Sequence, residues 1–240
     1  MQLLQVTLWI YGVALKRSWE CVRRNWVVSF APIAYSVLLS AVGFVAAPLG
    51  FAGGLLLGLA TQACLSSGLN LIKNMIDSGR ADFNDFIRGF TVYIWDLLTV
   101  AFIIWIPMRV LAMVLASVPN GGLIYFCIQL ALYIFLNAVP ELIYQTRTSG
   151  LEAIGASYNF IVENWLEWLI PNILLAAAGY WFLTVLGSLL IGLPFFLQLL
   201  VQAFALGLCL TYIMTFRGFL FAELHGSSRR ARVYRYKARS

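Results

Sequence analysis

Charge is the first thing this chain lacks. Only 11% of its 240 residues are Asp, Glu, Lys or Arg, against about 25% in an ordinary soluble domain. Histidine is nearly absent: His225 is the only one, which excludes a His-based catalytic triad and any multi-histidine metal site. The four cysteines, Cys21, Cys64, Cys127 and Cys209, are scattered and form no CxxC pair, so neither a disulfide framework nor a thiolate metal site is expected. No GxSxG, HExxH, P-loop or Rossmann glycine pattern occurs. These absences point to a protein that is not an enzyme and needs no cofactor.

What the chain has instead is apolar length. Hydrophobic residues make up 62% of it, and the mean hydropathy is +0.86. A helix crosses the hydrocarbon with about 20 apolar residues. Six such stretches, joined by short loops, use most of the sequence and leave no room for a separate soluble domain. The expected fold is therefore an all-α polytopic bundle of about six helices in three hairpins. It forms one membrane domain over residues 1–223, with hairpins at about 26–72, 90–143 and 165–217 and a basic tail at 224–240. The third stretch is long and carries Pro107, which predicts a tilt, a kink or an outer surface turn there.

Three shorter segments read as interfacial helices. Over residues 1–25, Leu4, Leu8, Tyr11, Leu15, Trp19 and Val22 recur at helical spacing, opposite Lys16, Arg17, Glu20, Arg23 and Arg24. This apolar run precedes its basic residues, the reverse of a cleavable signal peptide. Phe83, Phe86 and Phe90 punctuate a polar loop in the same way, and residues 149–164 form the third segment.

The positive charge is lopsided. The turns at Ala47-Pro48-Leu49-Gly50, Pro119-Asn120-Gly121-Gly122 and Gly192-Leu193-Pro194 hold no Lys or Arg. Every Lys and Arg except Arg109 falls on the other side, in the N-terminal segment, the other loops, the end of the last hairpin or the C-terminal tail. By the short-loop charge bias, both termini are expected in the cytoplasm and the protein in a bacterial inner membrane.

An internal match accompanies this pattern. Ala14, Ser18, Asn25, Trp26 and Pro32 recur as Ala153, Ser157, Asn164, Trp165 and Pro171 in the same register. A tryptophan at the head of a span suits the headgroup level, and a proline six residues later can kink the helix. The expected unit is an interfacial helix, an anchor, a kinked span and a return span, running the same way in each copy. Trp95 marks a fainter copy in the middle hairpin.

Candidate sites are few. Arg109, Gln129, Asp96 and Glu141 are polar or charged groups in or near the spans, where an ionisable side chain is expensive and marks a functional hypothesis. Arg109 either snorkels outward, contacts a substrate or lipid phosphate, or pairs internally, Gln129 being the partner at similar depth. Asp96 and Glu141 lie near the basic ends of their spans. Gly50, Gly54 and Gly58 form a small-residue ladder suited to helix packing, a ligand groove or a dimer face. Arg229, Arg230, Arg232, Arg235, Lys237 and Arg239 make the tail a contact for anionic membrane lipids or an acidic partner. No folded reader accompanies it, so nucleic acid is not an expected partner. A membrane-protein partner or a homo-oligomer is.

Three stretches, "LKRSWECVRRNW", "ASYNFIVENWLEWLIPN" and "TFRGFLFAEL", resemble bacterial six-helix membrane proteins of unknown function. That group is similar to the membrane domain attached to some glycerophosphodiester phosphodiesterases. The resemblance implies an inner-membrane helical fold. It carries over no catalytic residues, because the phosphodiesterase portion has no counterpart here. Function then divides between a non-enzymatic accessory or organising component and, as the alternative, a permease for a lipid or small solute.

Overall fold

The computed structural model describes residues 2–227 together with Arg232 and Tyr234, and among these the chain is helical with no strand. The basic tail residues Arg229, Arg230, Arg235, Lys237 and Arg239 lie outside the described residues. Six helices are long and apolar enough to cross a membrane: Trp26–Leu49, Phe51–Ser78, Ile94–Leu115, Gly121–Thr146, Gly150–Leu189 and Phe195–Leu224. The protein is an all-α polytopic bundle. In chain order its elements are α1 (Gln2–Arg24), a 3-10 turn (Trp26–Phe30), α2 (Ala31–Ala46), α3 (Phe51–Ser78), α4 (Phe83–Val92) and α5 (Ile94–Leu115). Then come α6 (Gly121–Phe135), the short α7 (Val139–Glu141) with a π-helical turn (Leu142–Thr146), α8 (Gly150–Leu189) and α9 (Phe195–Leu224).

The buried core gathers at the basic end, where α1, α4 and the start of α8 lie. One cluster joins Ile10 and Ala14 of α1 to Phe160 and Trp168 of α8 and Phe216 and Phe221 of α9. A second joins Cys21, Leu69, Met75, Tyr93, Ile143 and Tyr144. The opposite half is nearly coreless. Between residues 32 and 63 only Ala46 and Gly53 are buried, between 101 and 137 only Gly121, and between 173 and 204 none.

α1 lies at the surface of the bundle and seats one face, made of Val6, Ile10, Ala14, Ser18, Cys21 and Val22, in the core. Leu8, Leu15 and Trp19, on the apolar face expected at the interface, are exposed at 58%, 36% and 59%, and Leu4 lies outside the described side chains. The inserted stripe is small and mixed, so periodicity of large apolar residues passes over it. Close approach to α9 rewards small side chains, and Ser18 stays satisfied at zero exposure by donating to the Ala14 carbonyl (2.7 Å).

The kinks fall at asparagines, not at the prolines. Asn25 (φ −119°, ψ 30°) separates α1 from the 3-10 turn, and Asn164 (φ −125°, ψ 23°) breaks α8. Each buried Asn donates its side-chain amide to the carbonyl four residues earlier, Cys21 (2.9 Å) and Phe160 (3.2 Å). At Asn25 the Cys21 carbonyl also accepts the Asn25 backbone N–H (3.1 Å), so the amide adds a second donor at the break. A third break at Tyr93 (φ −121°, ψ 6°) separates α4 from α5. There Ser66 of α3 does the equivalent work from outside: its hydroxyl donates to the Gly89 carbonyl (2.5 Å) and accepts the Tyr93 N–H (2.8 Å). α5 runs on through Pro107. Pro171 has no N–H to offer the Glu167 carbonyl, and that carbonyl accepts the Tyr11 hydroxyl from α1 (3.1 Å).

α4 packs along α3 at backbone distance. A Cβ on Gly89 would stand 2.8 Å from the Ser67 Cα, and Ser67 and Asn70 donate to the carbonyls of Phe86 (2.7 Å) and Asp85 (3.0 Å). Asp82 opens α4 with a capping box to Asp85. The expected glycine ladder behaves differently. A Cβ on Gly50, Gly54 or Gly58 would meet nothing within 4 Å, and Gly54 and Gly58 are exposed. Close helix approach within the chain is made instead by Gly53, Gly89 and Gly207, the last against the Ser29 carbonyl. Spacing of four selects one face of a helix but does not say that a neighbour covers it.

Candidate functional site: a buried ion pair beneath a lateral groove

The helix after α6 is irregular. Leu136 and Ala138 leave helical geometry ahead of Pro140, and α7 then carries Glu141 into the bundle, where it is fully buried. Its partner is Arg217 of α9. The Arg217 Nε donates to Glu141 Oε1 (2.7 Å) and Nη2 to Oε2 (2.9 Å), a bidentate fork. Nη2 also donates to the Asn137 carbonyl (2.5 Å). The guanidinium lies over Trp168, 5.2 Å from the ring centroid, and the Trp168 indole N–H donates to Asn137 Oδ1 (3.0 Å). Three separate segments thus close one network, and both carboxylate oxygens have donors.

α9 reaches this position because residue 218 is glycine. A Cβ there would collide with Ile76 and stand 2.6 Å from the Tyr144 hydroxyl. The Gly218 carbonyl accepts the Gln145 amide (2.9 Å), which pins α9 to the π-helical turn. A buried pair of this kind is costly to break, since removing one partner strands the other charge in a low dielectric.

Above the pair, a groove of about 920 Å³ opens sideways between α5, α6 and α9. Ile104, Trp105 and Met108 form one wall, Tyr125, Gln129 and Tyr133 the other, and Asn137, Met214 and Arg217 the basic end. Its surface is mostly apolar, and the one cation lining it is already held by Glu141.

Of the residues singled out from sequence, Glu141 enters this site and Gln129 lines its wall. Arg109 does not: it is exposed on the outer half of α5, away from Gln129's groove, with no ion pair among the described residues. Asp96 is half-buried in the first turn of α5, where a carboxylate suits the helix N-terminus. Arg217 was not singled out, because its position near the end of α9 resembles the other basic residues of that end. The usable signal was an acid and a base at the same depth on two different spans, the fourth and the sixth.

Among the described tail residues, Arg232 turns inward. Arg232 is 6% exposed and donates to Asn164 Oδ1 (3.0 Å), so its side chain points into the protein and not to lipid. His225 stacks on Phe221 with ring centroids 4.7 Å apart. Outside the spans, burial pushes the Tyr11 hydroxyl up to about 12, with the Glu167 charge adding to it, and burial also raises the Cys21 thiol. Comparison with protein-family models, with curated proteins and with solved structures finds no match for this chain.

Proposed function

We propose that this integral membrane protein is a non-enzymatic accessory or organising component that holds lipid acyl chains against its α5–α6 hairpin, in a bacterial inner membrane with both termini in the cytoplasm. The observation that carries this reading is the lateral groove. Its walls are apolar, and its only cation is satisfied by a bidentate carboxylate, so it suits an uncharged chain better than a charged solute. The exposed apolar flanks of the outer half suit lipid or another membrane subunit. The basic residues of the inner loops support the orientation, and the resemblance to bacterial six-helix membrane proteins supports the location.

The chain reads further as a tandem repeat. The matched pair Asn25 and Asn164 share backbone angles and the same bond four residues back, and the Tyr93 break supports a middle copy completed by Ser66. A permease for a lipid is the second reading. It is favoured by a groove that runs from Tyr125, in the first turns of the fourth span, to Arg217 at the basic end, beside irregular helix.

Photo-crosslinking with an acyl-chain diazirine lipid tests the first reading. Crosslinks should map to α5 and α6, and Met108→Trp should reduce them. Crosslinking spread evenly over all spans would reject it. Lipid scrambling by the purified protein in liposomes, lost in Arg217→Met, would replace it with the permease.

A further inference from the structure

A second cleft lies at the basic end, apart from the groove. It sits between the first kink, α3 and α4, and holds about 350 Å³. Val27, Ala34, Leu71 and Phe86 give it apolar walls. At its mouth it runs into a polar recess of about 440 Å³ bounded by Arg24, Asn25, Arg80, Ala81 and Asp82, four of which line both spaces.

The mouth is built, not incidental. Asn25 ties the segment after α3 to the kink: its amide donates to the Gly79 carbonyl (3.0 Å), and its Oδ1 accepts the Ala81 N–H (3.0 Å). Gly79, at φ +74°, makes the turn that a Cβ would strain. Arg80 is therefore presented beside Arg24, the last residue of α1. Asp82 is occupied as the cap of α4, its carboxylate accepting from the backbone. Arg24 and Arg80 are exposed and make no ion pair among the described residues. Trp26, 53% exposed beside Arg24, marks the depth of an interfacial anchor.

We infer that this cleft is a binding site for one anionic glycerophospholipid, its phosphate held between Arg24 and Arg80 and an acyl chain laid in the cleft toward Ala34. Two guanidiniums over an apolar slot match a phosphodiester over a hydrocarbon chain. The inference rests on the reading of the chain as a lipid-contacting membrane protein, but it uses different residues from the groove.

The test is native mass spectrometry of the full chain released from nanodiscs containing phosphatidylglycerol or phosphatidylcholine. The wild type should retain phosphatidylglycerol in preference. Arg24→Gln with Arg80→Gln should weaken that retention about thirtyfold, from the loss of two basic contacts at an anionic surface. Arg24→Lys with Arg80→Lys should keep it, and Ala34→Trp should reduce it with both charges intact. Equal retention of the two lipids, an unaffected double Gln variant, or full displacement by inorganic phosphate alone would overturn the inference. The two readings separate cleanly. If α5–α6 crosslinking fails while the arginine-dependent preference persists, the groove falls and this site stands; the reverse outcome removes only this site.

Discussion

The two halves of the bundle are held by different forces. At the basic end, α1, α4 and the start of α8 meet α3 and α9 through buried aromatics, side-chain bonds to main-chain carbonyls and the Glu141–Arg217 pair. In the outer half, α5, α6 and the far parts of α8 and α9 expose Phe, Leu and Trp along most of their length. Lipid is as apolar as leucine, so the outer half gains little from burying such residues against one another. Polar groups have no such freedom, because each must find its partner inside the protein. The contrast teaches that order here follows the polar groups, and the groove opens where they are scarce.

The sharpest way to break the contrast is at the ion pair. Arg217→Met or Glu141→Gln should cost ~3–5 kcal/mol, read as thermal unfolding in detergent, whereas replacing both by methionine should recover much of the loss. Close helix contact comes next. Gly89→Ala should destabilise by ~1–3 kcal/mol because its Cβ meets the Ser67 backbone. Gly54→Ala and Gly58→Ala face open space in the outer half and should be neutral or gain up to ~1 kcal/mol in helix propensity. Destabilisation by the latter pair at higher protein concentration only would reveal a partner copy on that face.

The kinks should respond more mildly. Asn25→Ala and Asn164→Ala each remove a buried amide bond and should cost ~1–2 kcal/mol by the same measurement. Alkaline titration probes α1. The Tyr11 hydroxyl is raised in the folded state to about 12 from an ordinary value of 10, so the unfolded chain releases this proton first. Stability from Tyr11 is whole below pH 10 and falls as pH rises toward 12, and Tyr11→Phe should remove that part of the decline. The smallest effect belongs to the outer half: Arg109→Gln should change stability by less than ~0.5 kcal/mol.

Composition and apolar length were enough to read six membrane-length helices, and the phenylalanine spacing located α4. The Asn-Trp match marked the two matched segments, but the kink was expected at Pro32 and Pro171 and falls at Asn25 and Asn164 instead. The site was only partly legible. Glu141 and Gln129 stood out as polar groups among apolar neighbours, but Arg217 hid among the other basic residues of its end, and Arg109 drew attention by standing alone. Charge at a given depth is visible in a sequence, but a partner on another helix is not. The face of α1 that enters the core was equally hidden, because Ala14, Ser18 and Cys21 are chosen for close approach and carry no strong hydrophobic signal.

Sequence alone determined that this chain is an all-α membrane protein of six spans, since hydropathy and helix length are local properties. It also set the distribution of positive charge. Tertiary structure decided what those features are for. Folding seated one face of α1 in the core, left Gly54 and Gly58 unpartnered, and joined Glu141 to Arg217 across 76 residues of chain. It also set Arg24 beside Arg80 over an apolar cleft. Each of these depends on which helix lies against which, and in a bilayer that choice is made by sparse polar and steric contacts between distant segments, which no local pattern encodes.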